Sequence, residues 1–197
     1  ALRRERSPDE YRDALETIAG EAGHIEELVS ELLALARAEA DRAPSVGPVN
    51  LTPLVVDAAH RLEPLARARD VTIATDVCSN AYLMGDPVDL AHLPVALLHN
   101  AVKYARDGGR VVLTLDAPNG AIRLRVRDDG SGFSAEGLQR ATERFWRQDG
   151  VRGRSGSGLG LAIVRAMVER FGGTIALRNA DAGGAEVVVE FPAATPV

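Results

Sequence analysis

The chain has 197 residues, of which 46% are hydrophobic and 26% charged, with a formal net charge of −5. That balance excludes a disordered polar chain, and the acidity excludes the basic excess of a nucleic-acid surface. Cys78 is the only cysteine, so no intramolecular disulfide forms; no Cys/His cluster has zinc spacing, and no apolar run reaches the roughly 18–20 residues of a membrane helix.

Ser7-Pro8-Asp9-Glu10 opens the first element. A hydroxyl cap, a proline at the first helical position and an acid three residues after the serine predict a helix from about Pro8. Leu15, Ile18, Ala22, Ile25, Val29, Leu32 and Ala36 then recur at spacings of three and four, a seam for packing against other helices, widened by Leu28, Leu33 and Leu35. Gly20 and Gly23 each cost about 1 kcal/mol against alanine, so packing must hold this helix. The length of the seam favours an intermolecular bundle over docking on its own domain. Ala43 to Pro48 breaks the pattern with two prolines and a glycine. The expected organisation is therefore a helical region over 1–43, a linker over 44–49 and a domain over 50–197.

In that domain the pattern predicts a helix over 51–69, with Pro53 in its first turn and Pro64 a candidate kink. Short strands follow over 71–75 and 81–84, and a helix over 86–105. Strands over 111–115 and 122–126 flank a turn at Pro118-Asn119-Gly120. A last helix over 159–171 precedes strands over 174–177 and 187–191. Strands interspersed with a few helices, including two hairpin-like pairs, predict an α+β fold: a two-layer sandwich, its mixed sheet covered by helices on one face.

Three short motifs in the second half carry the chemistry. Asn100 ends a strongly apolar helical run, where an amide is an odd choice for packing alone. Its oxygen suits a hard cation such as Mg²⁺, which is held by few protein oxygens together with phosphates and water. Lys103, three residues on, lies on nearly the same face and suits a phosphate. The plain alternative is a helix end with a capping Asn and a solvated Lys. Asp128-Asp129-Gly130-Ser131-Gly132 follows a strand whose alternation points Asp128 inward, where a buried carboxylate requires a donor such as a purine amine. The alternative is an ordinary Asp-Gly turn. Gly156-Ser157-Gly158-Leu159-Gly160-Leu161 enters an apolar helix, whose first amides suit an anionic phosphate. Its spacing is neither that of a dinucleotide fold nor that of a P-loop. Before it, residues 148–155 are polar and glycine-bearing, as in a lid, with Arg147, Arg152 and Arg154 available to phosphates; a surface loop is the alternative.

In this order and separation the motifs resemble the ATP-binding domain of sensor histidine kinases, of the Bergerat ATPase fold, over essentially Asn50 to Pro192. Leu98 to Tyr104 resembles the N box of that family, Asp128 to Gly132 its first glycine box, Arg144 to Arg147 its F box and Gly156 to Leu161 its second glycine box. The resemblance implies ATP and Mg²⁺ as ligands. Asn100 would hold the metal, Asp128 would read the adenine amine and Tyr104 would flank the base. Lys103, Arg147 and the glycine run with Ser157, Leu159 and Leu161 would serve the phosphates, and Gly130, Gly132 and Phe133 would complete the site. It further implies a homodimer through the N-terminal helix, a response regulator as partner, and a cytoplasmic domain of a membrane-anchored parent.

Departures accompany the match. Ala96 stands four residues before Asn100, where many relatives carry a second amide or acid. Asp129 replaces a common Asn, and Ala185 a frequent Thr. The phosphoacceptor motif, a His followed by an acid and then Thr-Pro, is absent; His24 lies in the helix that resembles the second dimerisation helix. The expectation is a fragment that binds ATP and cannot phosphorylate itself at the usual site, its acceptor lying upstream. A serine kinase or ATPase of the same fold, and a non-catalytic dimerisation module with a vestigial nucleotide site, remain the alternatives.

Overall fold

The computed structural model describes residues 7–15, 17, 18, 22, 29, 32, 36, 47–148 and 157–194. Residues 8–15 are helical (α1), as are the described positions 17, 18, 22, 29, 32 and 36. The predicted cap is formed reciprocally: Glu10 N–H donates to Ser7 Oγ at 3.2 Å, and Ser7 N–H donates to Glu10 Oε2 at 2.9 Å. Of the seam, Leu15 is 66% exposed and Ile18 59%, and Val29 and Leu32 are exposed too. Ile25, Leu28, Leu33, Leu35, Gly20, Gly23 and His24 lie outside the described residues, as do residues 1–6 and 43–46.

The remaining elements are β1 (Gly47–Asn50), α2 (Leu51–Arg67), β2 (Thr72–Val77), β3 (Tyr82–Gly85), α3 (Pro87–Tyr104), β4 (Arg110–Asp116), β5 (Ala121–Asp128), α4 (Ala135–Arg140), α5 (Gly160–Arg170), β6 (Thr174–Asn179) and β7 (Ala185–Pro192). One mixed sheet runs in the order β2-β4-β5-β7-β6, with β2 parallel to β4 and the other pairs antiparallel. Alternation decides its two faces. Val111, Leu113 and Leu115 on β4, Ile122, Leu124 and Val126 on β5, and Val187, Val189 and Phe191 on β7 are all buried. α2 packs on α3, α3 on α5, and α3 and α5 lie against the strands, which puts the helices over that buried face. The other face carries cross-strand ion pairs, Arg123 with Glu190, Arg125 with Asp116 and Arg178 with Glu186. This is the expected two-layer sandwich.

Local chemistry starts each long helix. Asn50 caps α2, its Oδ1 accepting from Thr52 N–H at 3.0 Å, and Asp86 caps α3, accepting from Val88 N–H at 2.8 Å just before Pro87. α2 continues through Pro64 and ends three residues later. Two elements differ from expectation. Residues 47–49, read as the end of a linker, belong to β1, which pairs antiparallel with β3 from Gly47 opposite Gly85 to Asn50 opposite Tyr82. Pro48 sits there opposite Met84, in a two-stranded ribbon whose strands are both edges, where proline is tolerated. The second is α4, capped by Ser134 Oγ, which accepts from Gly137 N–H at 2.9 Å; six residues are too few to display a helical period.

Candidate functional site

A cavity of about 280 Å³ opens between α3, the loop after β5, the segment after α4 and the start of α5. Asn100, Lys103 and Tyr104 line it from α3, and Asp128, Gly132 and Phe133 from the β5 end. Arg147, Ser157, Gly158, Gly160 and Leu161 complete its other side. Two expected residues among the described ones do not line it. Gly130 and Leu159 lie behind the wall, and Gly156 lies outside the described residues, as do Arg152 and Arg154.

The floor is built around Asp128. Its residue is 5% exposed. The carboxylate accepts from the N–H of Gly130 at 2.8 Å and of Ala185 at 3.3 Å, and no cation is paired with it among the described residues. Burial pushes this carboxyl above the ordinary carboxylate range, and the charge of Asp129 adds to that; the two N–H donors pull the other way. Burial wins, so the group is a costly acceptor for which a donor inside the cavity is favourable.

Glycines let three backbone segments converge behind that carboxylate. A Cβ on Gly130 would lie 2.1 Å from the Tyr104 carbonyl oxygen, and one on Gly184, where φ is +91°, would lie 2.0 Å from the Asp128 carbonyl oxygen. Asn179 pins the loop after β5: its Oδ1 accepts from Phe133 N–H at 2.7 Å, and its Nδ2 donates to Phe133 C=O at 2.9 Å. Asp129 faces away from the cavity, its carboxylate accepting from the N–H of Arg106 at 3.3 Å and of Arg110 at 3.0 Å.

α3 presents the polar wall. The Asn100 side chain is half-buried and makes no hydrogen bond among the described residues. The Lys103 ammonium sits 5.8 Å from the Tyr104 ring centroid. Arg69 fixes the end of this helix, its guanidinium donating to the carbonyls of Val102 and Lys103 at 2.5 Å each and pairing with Asp107 at 2.6 Å. A cation at a helix C-terminus is favourable on dipole grounds as well.

Opposite, the approach to α5 is closed by backbone. Phe145 N–H donates to Gly158 C=O at 3.0 Å, and a Cβ on Gly158, at φ +73°, would meet the Phe145 carbonyl carbon at 2.8 Å. Phe145 itself has φ +62° and its residue is 66% exposed, which is strained for a bulky residue. No side chain caps α5, whose first residues Gly160 and Leu161 line the cavity; just before it Ser157 Oγ accepts from Leu159 N–H at 3.0 Å.

Several lining residues were not singled out as binding candidates in the sequence: His92, Val95, His99, Ser131, Ala141, Gln148 and Ile163. The α3 members were legible, because 92, 96, 99 and 103 fall on one helical face with Asn100. Gln148, which accepts from Ser134 N–H at 2.8 Å, carried no such signal.

The comparisons decide the family. The profile described as histidine kinase-, DNA gyrase B- and HSP90-like ATPase matches residues 85–195. The chain is 36% identical over 146 residues to a sensor histidine kinase component, HK1, of Mycobacterium tuberculosis, covering 74% of this chain and 83% of that protein. The chain belongs to the sensor histidine kinases. It is also 33% identical over 181 residues to the sensor-like histidine kinase SenX3 of Mycobacterium bovis, covering 90% of this chain and 44% of that protein. Among solved structures it resembles full-length ShkA in complex with AMPPNP, at TM-score 0.79 and 29% identity, covering 98% of this chain and 41% of that one. The chain thus spans about half or less of the longer histidine kinases it matches. Among the described residues no helix is long and apolar enough to cross a membrane.

Proposed function

We propose that this chain binds ATP with Mg²⁺ and supplies the γ-phosphoryl group to a histidine of the same sensor kinase, for onward transfer to a response regulator. The observation that carries this reading is Asp128: a buried carboxylate, held by backbone N–H groups and without a cation, at the floor of the cavity. Such a carboxylate is matched by the exocyclic amine of adenine, an uncharged donor that fits against the Tyr104 end of α3. A purine reading is also supported by the AMPPNP bound in ShkA.

The donor set fits the metal only in company. No cluster of three His, Cys, Asp or Glu side chains able to hold an ion occurs among the described residues, so Mg²⁺ would arrive with the phosphates and take the Asn100 amide oxygen as its protein ligand. When bound it would neutralise phosphate charge. Lys103 and Arg147 would orient the phosphate chain, and the N–H groups at the uncapped start of α5 would donate to its oxygens. The exposed seam of the N-terminal helix supports dimerisation of the parent protein through that segment. The domain would lie on the cytoplasmic side of a membrane in which the parent is anchored.

The His-acid-Thr-Pro acceptor motif does not occur in these 197 residues. Incubation with labelled ATP alone should therefore leave no stable phosphohistidine, while AMPPNP with Mg²⁺ should raise the thermal unfolding midpoint. Robust self-labelling would contradict the assignment of the acceptor elsewhere, and absence of any nucleotide stabilisation would favour a dimerisation module with a vestigial site.

A further inference from the structure

α3 forms the longest wall of the cavity, and its lining side chains continue well beyond the residues that the three motifs single out. From Tyr104 back to His92 is twelve residues, about 18 Å at 1.5 Å per residue. The base end of this wall is fixed: Gly130 packs under the Tyr104 carbonyl, and Asp128 lies two residues before it. A nucleotide lying along the wall therefore runs its phosphates toward the N-terminal half of α3. Lys103 and Asn100 come first, then His99. Ala96 offers no polar atom. One turn further on, His92 is the next polar side chain facing the cavity. It is half-buried, and it makes no hydrogen bond or ion pair among the described residues.

An imidazole donates one N–H when neutral and two when protonated, and a phosphoryl oxygen is a strong charged acceptor. We infer that His92 donates to the terminal phosphoryl group of the nucleotide and is the residue by which this pocket distinguishes a nucleoside triphosphate from a diphosphate. The inference rests on the nucleotide reading above and deepens it. Lys103 and Asn100 lie nearer the base and meet phosphates that ATP and ADP share, so they raise the affinity of both. His92 stands where only the triphosphate reaches. It is also a feature of this chain rather than of its motifs: with alanine at 96, the polar contact at the far end of the wall falls to position 92.

Calorimetric titration of the chain with AMPPNP and with ADP, each with Mg²⁺, tests this. The wild type should bind AMPPNP more tightly. His92→Ala should weaken AMPPNP binding about five- to tenfold while leaving ADP within about twofold, and His92→Gln, which keeps an N–H donor, should retain most of the AMPPNP affinity. The ADP affinity of each variant reports that its fold is intact. Equal losses for both nucleotides, or no change for AMPPNP, would overturn the inference and leave the nucleotide reading standing. A wild-type chain that binds neither nucleotide would overturn both.

Discussion

At the base end of the cavity, Asp128 is held by backbone: the Gly130 and Ala185 amides, the Gly184 turn pressed against its carbonyl, and Asn179 bonded twice to Phe133. At the other end, where the proposal puts the phosphates, Asn100, Lys103, Arg147 and His92 line the cavity from one helix and one loop, beside the uncapped start of α5. The difference teaches that, on the proposed reading, base recognition would be built into the packing of the sheet, whereas phosphate recognition would be carried on a surface of the fold. Changes at the first end should be felt in stability as well as binding, and changes at the second mainly in binding.

The strongest way to break that contrast is at Gly184. Gly184→Ala puts a Cβ 2.0 Å from the Asp128 carbonyl oxygen at a φ that disfavours side chains, and should cost on the order of 3 kcal/mol or more by urea unfolding. A loss below about 1 kcal/mol would mean that the base end relaxes as easily as a loop. Next in size is Arg69→Ala, which strips the α3 C-terminus of its donor; about 2 kcal/mol of stability should go, with weaker nucleotide binding because Lys103 and Tyr104 ride on that turn. Intact affinity in a destabilised variant would separate the helix end from the site.

The pH dependence of the nucleotide-free chain sharpens the comparison further. The folded-state pKa of Asp128 is raised by burial, so the folded state holds its proton more readily than the unfolded chain. The contribution of this group is therefore most favourable below the ordinary carboxylate range and is lost as pH rises through the raised value. Asp128→Asn should thus exceed the wild type in stability at pH 7, with the gap closing in acid; a variant that is less stable at pH 7 would show that the carboxylate is well accommodated. The smallest effect belongs to the phosphate end. Gly160→Ala meets nothing within 4 Å and should change stability by no more than about 0.5 kcal/mol.

The sheet and its helices were legible because one face is buried: alternation along β4, β5 and β7, and the cap at Ser7, are local signals. Asp128 and Asn100 were legible for the related reason that a polar group in an apolar pattern needs an explanation. β1 was not, since its first three residues, one a proline, carry the composition of a linker and become a strand only by pairing with β3. Nor was α4, or the clamp by Arg69, whose partners lie more than thirty residues away and leave no trace in a local pattern. Helical spacing alone puts His92 and Ala96 on the face of Asn100, but only the fold shows that this face lines the cavity as far as His92.

The central claim is that Asp128 reads adenine. Parallel calorimetric titrations of the wild type and Asp128→Asn with ADP and GDP, with Mg²⁺ present, test it most directly. The wild type should bind ADP and discriminate against GDP, whose six-position is an acceptor, and Asp128→Asn should lose ADP affinity by roughly ten- to a hundredfold while remaining folded. Equal binding of the two nucleotides, or unchanged ADP affinity in the variant, would contradict it.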